Sequence, residues 1–170
     1  MLKIAYSPVY AHPLPEGHRF PMEKYDLIPQ QLRYEGTVTE ANFFEPAPQA
    51  IADILTTHTP TYLDQLLDQS LSAREARKIG FPLSPQLVLR ERIINQGTLD
   101  CAHFAQQHGV SMNVSGGTHH AFAGHGEGFC LLNDIATAAN VLLRDGMARQ
   151  VLIVDLDVHR VLSDVYTIKY

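Results

Sequence analysis

The stretch Val151-Leu152-Ile153-Val154-Asp155-Leu156-Asp157-Val158-His159 decides how this chain is read. Four consecutive apolar residues, entered from a loop containing Gly146, predict a buried strand of a parallel sheet. The strand then runs into Asp-x-Asp-x-His. Open α/β sheets bind ligands beyond the carboxyl ends of their strands, so these groups collect where a site is expected. Asp157 and His159 stand two residues apart on one face of an extended chain. They offer one oxygen and one nitrogen to a metal ion. Taken alone, the same pattern also fits a polar strand terminus.

A second stretch strengthens the first. Ser115-Gly116-Gly117-Thr118-His119-His120-Ala121-Phe122 is followed by Gly126-Glu127-Gly128-Phe129-Cys130-Leu131-Leu132-Asn133-Asp134. Imidazole titrates near neutrality, and glycines let the backbone approach a ligand closely. Adjacent histidines behind a Gly-Gly pair therefore suit proton transfer, and a carboxylate such as Asp155 can orient one ring and raise its basicity. A His-His pair by itself is more often a plain loop feature.

Together these residues resemble the zinc-dependent histone deacetylase family, in particular its bacterial and class IV-like branch. The resemblance is carried by Gly116 to Ala121, Gly128-Phe129-Cys130 and Asp155 to His159. It continues in Tyr6 to Tyr10, Gly17 to Tyr25, Thr57 to Leu63 and Ile79 to Pro82, in order from about residue 4 to His159. It implies a three-layer α/β/α fold of the arginase–deacetylase type with a mostly parallel sheet, of which residues 1–159 form the N-terminal part. By the same resemblance Asp157 and His159 match two of three zinc ligands, and the third has no counterpart in these residues. His119 and His120 match the tandem histidines, with His120 as general base and acid and His119 as its electrostatic partner. Asp155 matches the carboxylate paired with the first histidine, and an inner monovalent-cation site is implied near Asp155 and Asp157. Gly128 and Phe129 match the wall of a narrow substrate channel. The implied reaction is removal of the acetyl group from acetyl-lysine or a small acetylated amine such as a polyamine.

The pattern stops abruptly. After His159 the family continues with a Gly-rich stretch, whereas Arg160-Val161-Leu162-Ser163 follows here, and 160–170 match nothing familiar. Tyr166 and Tyr170 have no Gly-rich context that would mark an oxyanion tyrosine. The expectation is a truncated, catalytically impaired chain produced by a frameshift or rearrangement, since gradual drift would blur a motif and not cut it. Two alternatives are an inactive remnant and a ureohydrolase-like metallohydrolase. The second needs several more aspartate ligands in an Asp-Ala-His-x-Asp setting, and the His-His loop argues against it. A haloacid-dehalogenase-like reading of Asp155-Leu156-Asp157 leaves the histidines unused.

Composition sets the remaining bounds. At 170 residues and 45% apolar, the chain can bury one core. A formal net charge of −5 gives no electrostatic case for nucleic acid or an anionic membrane. No apolar run approaches the roughly 20 residues that span a bilayer. Met1 to Tyr6 is too short for a secretory signal. Two cysteines, Cys101 and Cys130, make no disulfide framework, which fits a reducing cytoplasm. The sequence carries no signal for an oligomeric state.

Local patterns predict strands at Lys3 to Tyr6, Val110 to Val114 and Val151 to Val154. Pro21 opens a helix through Tyr34 that Pro29 should kink or split. Short helices are expected over Gln49 to Thr56, Pro60 to Gln69 and Arg74 to Ile79. A long amphipathic one runs from Ser84 or Pro85 to His108, stopped by Gly109, and another spans Asn133 to Arg144. Cys130 reads as a buried structural thiol, His18 as a channel-rim residue and Glu127 as structural or solvent-facing. Glu75 and Lys78 read as an ordinary exposed pair.

Overall fold

The computed structural model describes residues 1–157 and the backbone of 165–169. Its main sheet is built around β1 (Lys3–Ala5), which pairs in parallel with β2 (Phe43–Phe44) on one side and β3 (Ser111–Asn113) on the other. The register sets Lys3 opposite Ser111 and Ala5 opposite Asn113. Parallel neighbours require crossovers, and helices fill them. α1 (Lys24–Tyr34) lies between β1 and β2. Between β2 and β3 come α2 (Ile51–Ile54), α3 (Pro60–Leu67), α4 (Ala73–Ile79) and α5 (Pro85–His108). Strand β2 is too short to show an alternation and has no counterpart in the sequence reading.

Helix α5 is the internal axis of the chain. Ser84 caps it, accepting the Leu87 N–H at 3.1 Å. Pro85 fills the first position, where no N–H is needed, and Gly109 ends the helix at φ 85°. It packs on β1, on β3 and on α6 (Asp134–Arg144). The main core gathers Leu87, Val88 and Ile94 of α5 with Tyr10, Ile54, Tyr62, Leu66, Leu131 and Leu132. A smaller cluster of Leu99 with Ala138, Val141 and Leu142 joins α5 to α6. Burial on several sides extends to charged residues. Arg90 and Glu91 form a fully buried ion pair, and burial pushes the Glu91 carboxyl up against the pull of Arg90. The Arg90 guanidinium also donates to the Tyr10 carbonyl at 2.7 Å and the Ser115 hydroxyl at 3.2 Å, tying the N-terminal loop to the loop after β3.

Three local expectations are corrected. Helix α1 starts at Lys24, not Pro21, and runs through Pro29 without splitting. Pro29 is buried, so its ring packs inward where it forfeits one hydrogen bond. Glu75 feels Lys78 only as a nearby charge and makes no ion pair with it among the described residues. It closes a capping box with Ser72, while Lys78 meets Glu127 across 3.1 Å. The apolar run preceding Asp155 is strand β4 (Gln150–Val154), but it is not a buried parallel strand. It pairs antiparallel with β5 (Val165–Lys169), apart from the three-stranded sheet, with Leu152 61% and Val154 60% exposed. An apolar run needs a strand partner for its backbone and is silent about the partner's direction. Residues 165–169 therefore contribute a strand that the sequence reading did not expect. Among the described residues no helix is long and apolar enough to cross a membrane.

Candidate active site

Beyond β3 the chain turns at Val114 and Ser115, the Gly116 N–H reaching back to the Asn113 carbonyl, and then runs through Gly116 and Gly117. A Cβ at Gly116 would crowd Asp134 Oδ2 and Thr98 Oγ1 at 3.0 Å, and Gly117 has φ +90°, a conformation that favours glycine. What holds the loop is the start of α6. Asp134 is fully buried. Its Oδ1 accepts the Thr118 N–H at 2.7 Å and faces the Thr118 hydroxyl, and its Oδ2 accepts the Gly117 N–H at 3.0 Å and the Thr98 hydroxyl. Asn133, whose Oδ1 caps α6, turns its Nδ2 to the carbonyls of His119 (3.3 Å) and Ala121 (3.0 Å). The Asn133 N–H in turn donates to Nε2 of buried His58 at 2.9 Å. The sequence reading took Asn133 and Asp134 only as the beginning of a helix. An Asx pair at a helix start after a His-rich loop was the available signal, but its loop partners are set by tertiary contact.

The structure brings four of the expected residues together. Asp155 Oδ2 lies 3.0 Å from Nδ1 of His119, which places a proton on that nitrogen. Asp155 Oδ1 accepts the Asp157 N–H at 2.9 Å, so one carboxylate orients the first imidazole and the second acidic residue. Nε2 of His119 stands 3.1 Å from Nε2 of His120 and 3.7 Å from Asp157 Oδ2. Two facing nitrogens at that distance share a single proton. His119, His120 and Asp157 each present a ligand atom, all within 4.8 Å of one another. Carboxylate oxygen with imidazole nitrogen is a donor set that zinc accepts. His159 lies outside the described residues.

This cluster opens into a cleft of about 710 Å³ lined by Arg19, Phe20, Lys24, Tyr25, the 115–120 loop, 128–130 and Asp157. Gly128 and Phe129 both form its wall. Gly128 has φ +53°, and a Cβ there would press 3.3 Å from the His120 ring. Phe129 itself takes φ 68°, a strained conformation for a non-glycine residue. It is held by its N–H donating to Ile79 (2.7 Å) and by rings of Phe20 and Phe81 with centroids 4.9 and 5.1 Å away. Two cations lie against this wall, the Arg19 guanidinium 4.9 Å from the Phe129 centroid and the Lys24 ammonium 4.6 Å from that of Phe20. His18 supports the wall, contacting the Gly80 carbonyl at 2.9 Å and stacking on Phe81. Cys130 is buried, its thiol pushed up to about 12, as an inert structural cysteine should be. Glu127 is half exposed and bound by Lys78.

An α/β framework thus gathers paired imidazoles and carboxylates, polar proton-handling groups, at a strand end. The comparisons give the family. The histone deacetylase domain model matches residues 18–161, and the chain belongs to that family. An uncharacterized protein of Picosynechococcus sp. is 40% identical over 157 residues, covering 92% of this chain and 52% of its own length. Histone deacetylase 2 of Arabidopsis thaliana is 27% identical, covering 84% and 38%. The acetoin utilization protein AcuC of Bacillus subtilis is 26% identical, covering 91% and 42%. The chain thus spans about half the length, or less, of these curated relatives. A crystal structure of an HDAC homolog complexed with SAHA superposes with TM-score 0.73 at 22% identity, over 87% of this chain and 42% of that one. The HDAC homolog from Aquifex aeolicus gives 0.71 at 20%. The fold is the arginase–deacetylase type.

Proposed function

We propose that this chain carries the histidine–carboxylate part of a zinc-dependent deacetylase site acting on acetyl-lysine or a small acetylated amine. The observation that supports it is the linked set Asp155–His119–His120 beside Asp157, with 3.0 Å and 3.1 Å separations. Asp157, with His159 by resemblance, would hold zinc. A zinc ion there supplies Lewis-acid polarisation of the amide carbonyl. His120 takes a proton as general base and returns it to the departing amine. A proton on His120 can pass to His119 across their shared contact, where Asp155 stabilises the positive ring. Gly128 and Phe129, with Phe20 beside them, would line the channel for the apolar stem of the substrate, and a monovalent cation would sit near Asp155 and Asp157. Nucleic acid and membrane are not partners in this reading, and the location is cytoplasmic.

Only two zinc ligands are matched and no oxyanion tyrosine is, so the 170-residue chain alone turns over negligibly. Loss of one oxyanion donor by itself costs on the order of 100-fold. The test is cobalt(II) titration of the purified chain, followed by visible absorption and a peptide assay. The reading expects a cobalt spectrum that Asp157→Asn abolishes. An identical spectrum in Asp157→Asn would refute the metal assignment. Chelator-sensitive release of acetate from an acetyl-lysine peptide would refute the impairment.

A further inference from the structure

We infer that Asp134, which touches none of the reacting groups, is the positioning residue for the tandem imidazoles, so that helix α6 sets the site through its first side chain. The inference rests on the deacetylase reading for its purpose, but not for its geometry. Asp134 is buried to the last of its surface, and its two oxygens divide the backbone donors of Gly117 and Thr118 between them. Those are the two residues immediately before His119. Asn133 grips the other side of the same loop through the carbonyls of His119 and Ala121. The path of the chain into and out of the imidazole pair is thereby fixed from one end of α6. Thr98 completes the arrangement by linking the carboxylate to α5, and a Cβ at Gly116 would crowd that pair at 3.0 Å.

The chemistry calls for a carboxylate and not merely a polar group. An ionised Asp is acceptor-only at both oxygens, which matches an N–H at each. An asparagine at 134 has one oxygen. Whichever way its amide is turned, an NH2 group meets the N–H of either Gly117 or Thr118, and one backbone donor is left buried without an acceptor. The loop must then shift to free that N–H, and His119 moves with it relative to Asp155. A bland alternative exists: an acidic residue in the first turn stabilises a helix through its dipole wherever the loop lies. On that account Asp134→Asn would weaken α6 and leave the imidazoles unmoved.

The deciding measurement is nitrogen-15 NMR of the full 170-residue chain, reading the Gly117 and Thr118 amides and the imidazole nitrogens of His119 and His120. It needs no metal and no turnover, so it stands even if the deacetylase reading fails. Asp134→Asn is expected to displace both amides and to lose the His119 Nδ1–H signature of the Asp155 bond. Thr137→Val is the matched control. It removes a 2.7 Å hydrogen bond to the Asn133 carbonyl in the same helical turn without touching the loop, and it should leave the His119 signature in place. Unmoved imidazole resonances in folded Asp134→Asn, or equal displacement in both variants, would overturn the proposal. Should Asp134→Asn fail to fold, Thr98→Val decides. There the Gly117 N–H becomes the sole donor to Oδ2, and the Gly117 amide and His119 imidazole must shift together; an unshifted pair would overturn it.

Discussion

Replacing Gly80 by alanine tests the wall of the cleft, and the structure supplies its own control. Gly80 and Gly109 end α4 and α5 at similar positive φ, 87° and 85°, with ψ 0° and −30°. A Cβ at Gly109 meets nothing within 4 Å, whereas one at Gly80 lands 2.9 Å from Phe129 Cε1 and 3.2 Å from its Cδ1. Gly109→Ala therefore carries the backbone penalty alone, roughly 1–2 kcal/mol. Gly80→Ala adds an overpacking cost of typically 1–3 kcal/mol, because the Phe129 ring is wedged against Phe20 and Phe81 and has little room to retreat. Taking about 3 kcal/mol in total and a urea m-value of about 2 kcal/mol/M, the midpoint falls by about 1.5 M for Gly80→Ala and about 0.7 M for Gly109→Ala. Far-ultraviolet circular dichroism in urea reads both. Equal shifts in the two variants would show that the Phe129 contact costs nothing, and the description of that wall as rigid would be wrong.

Two further outcomes follow from buried titratable groups. Burial lowers the pKa of His58 below its ordinary value, and its Nε2 must stay bare to accept the Asn133 N–H. Its contribution to stability is therefore complete above the unfolded value of about 6.5 and is lost as pH falls through the lower folded one. Urea midpoints should drop between pH 7 and pH 5 by less in His58→Gln than in the unaltered chain; a parallel drop would sink the assignment. Burial also raises the thiols of Cys101 and Cys130. Ellman's reagent at pH 8 should find no fast-reacting thiol in the folded chain and both in urea, and rapid labelling of Cys130 before unfolding would contradict its inert role.

The sequence reading succeeded where one residue type has one structural use. Ser84, Pro85 and Gly109 bounded α5 to within one residue because capping and stopping are local acts. The contact of Asp155 with the tandem histidines was legible because a carboxylate at the strand end and the family resemblance both pointed to it, and Asp155 Oδ2 lies 3.0 Å from His119 Nδ1. It failed where meaning depends on a distant partner. Arg90 and Glu91 look like the polar face of an amphipathic helix until the N-terminal loop and Ser115 close over them. Pro29 looks like a break until its ring is seen to be buried. Asp134 looks like a helix-starting acid until the loop wraps its carboxylate. The direction in which β4 pairs is likewise a property of two strands and is written in neither.

The cleft wall has a consequence for the cost of assembling the molecule. Its members come from His18 and Phe20, from Gly80 and Phe81 and from Phe129, segments far apart along the chain. The imidazole loop and its α6 anchor are close neighbours in sequence, and α5 needs only its own turns. Contacts between distant segments come at a loop-closure entropy that local ones avoid. The loop and its α6 anchor therefore meet at little such cost, whereas the aromatic wall of the cleft and the Asp155–His119 contact carry it.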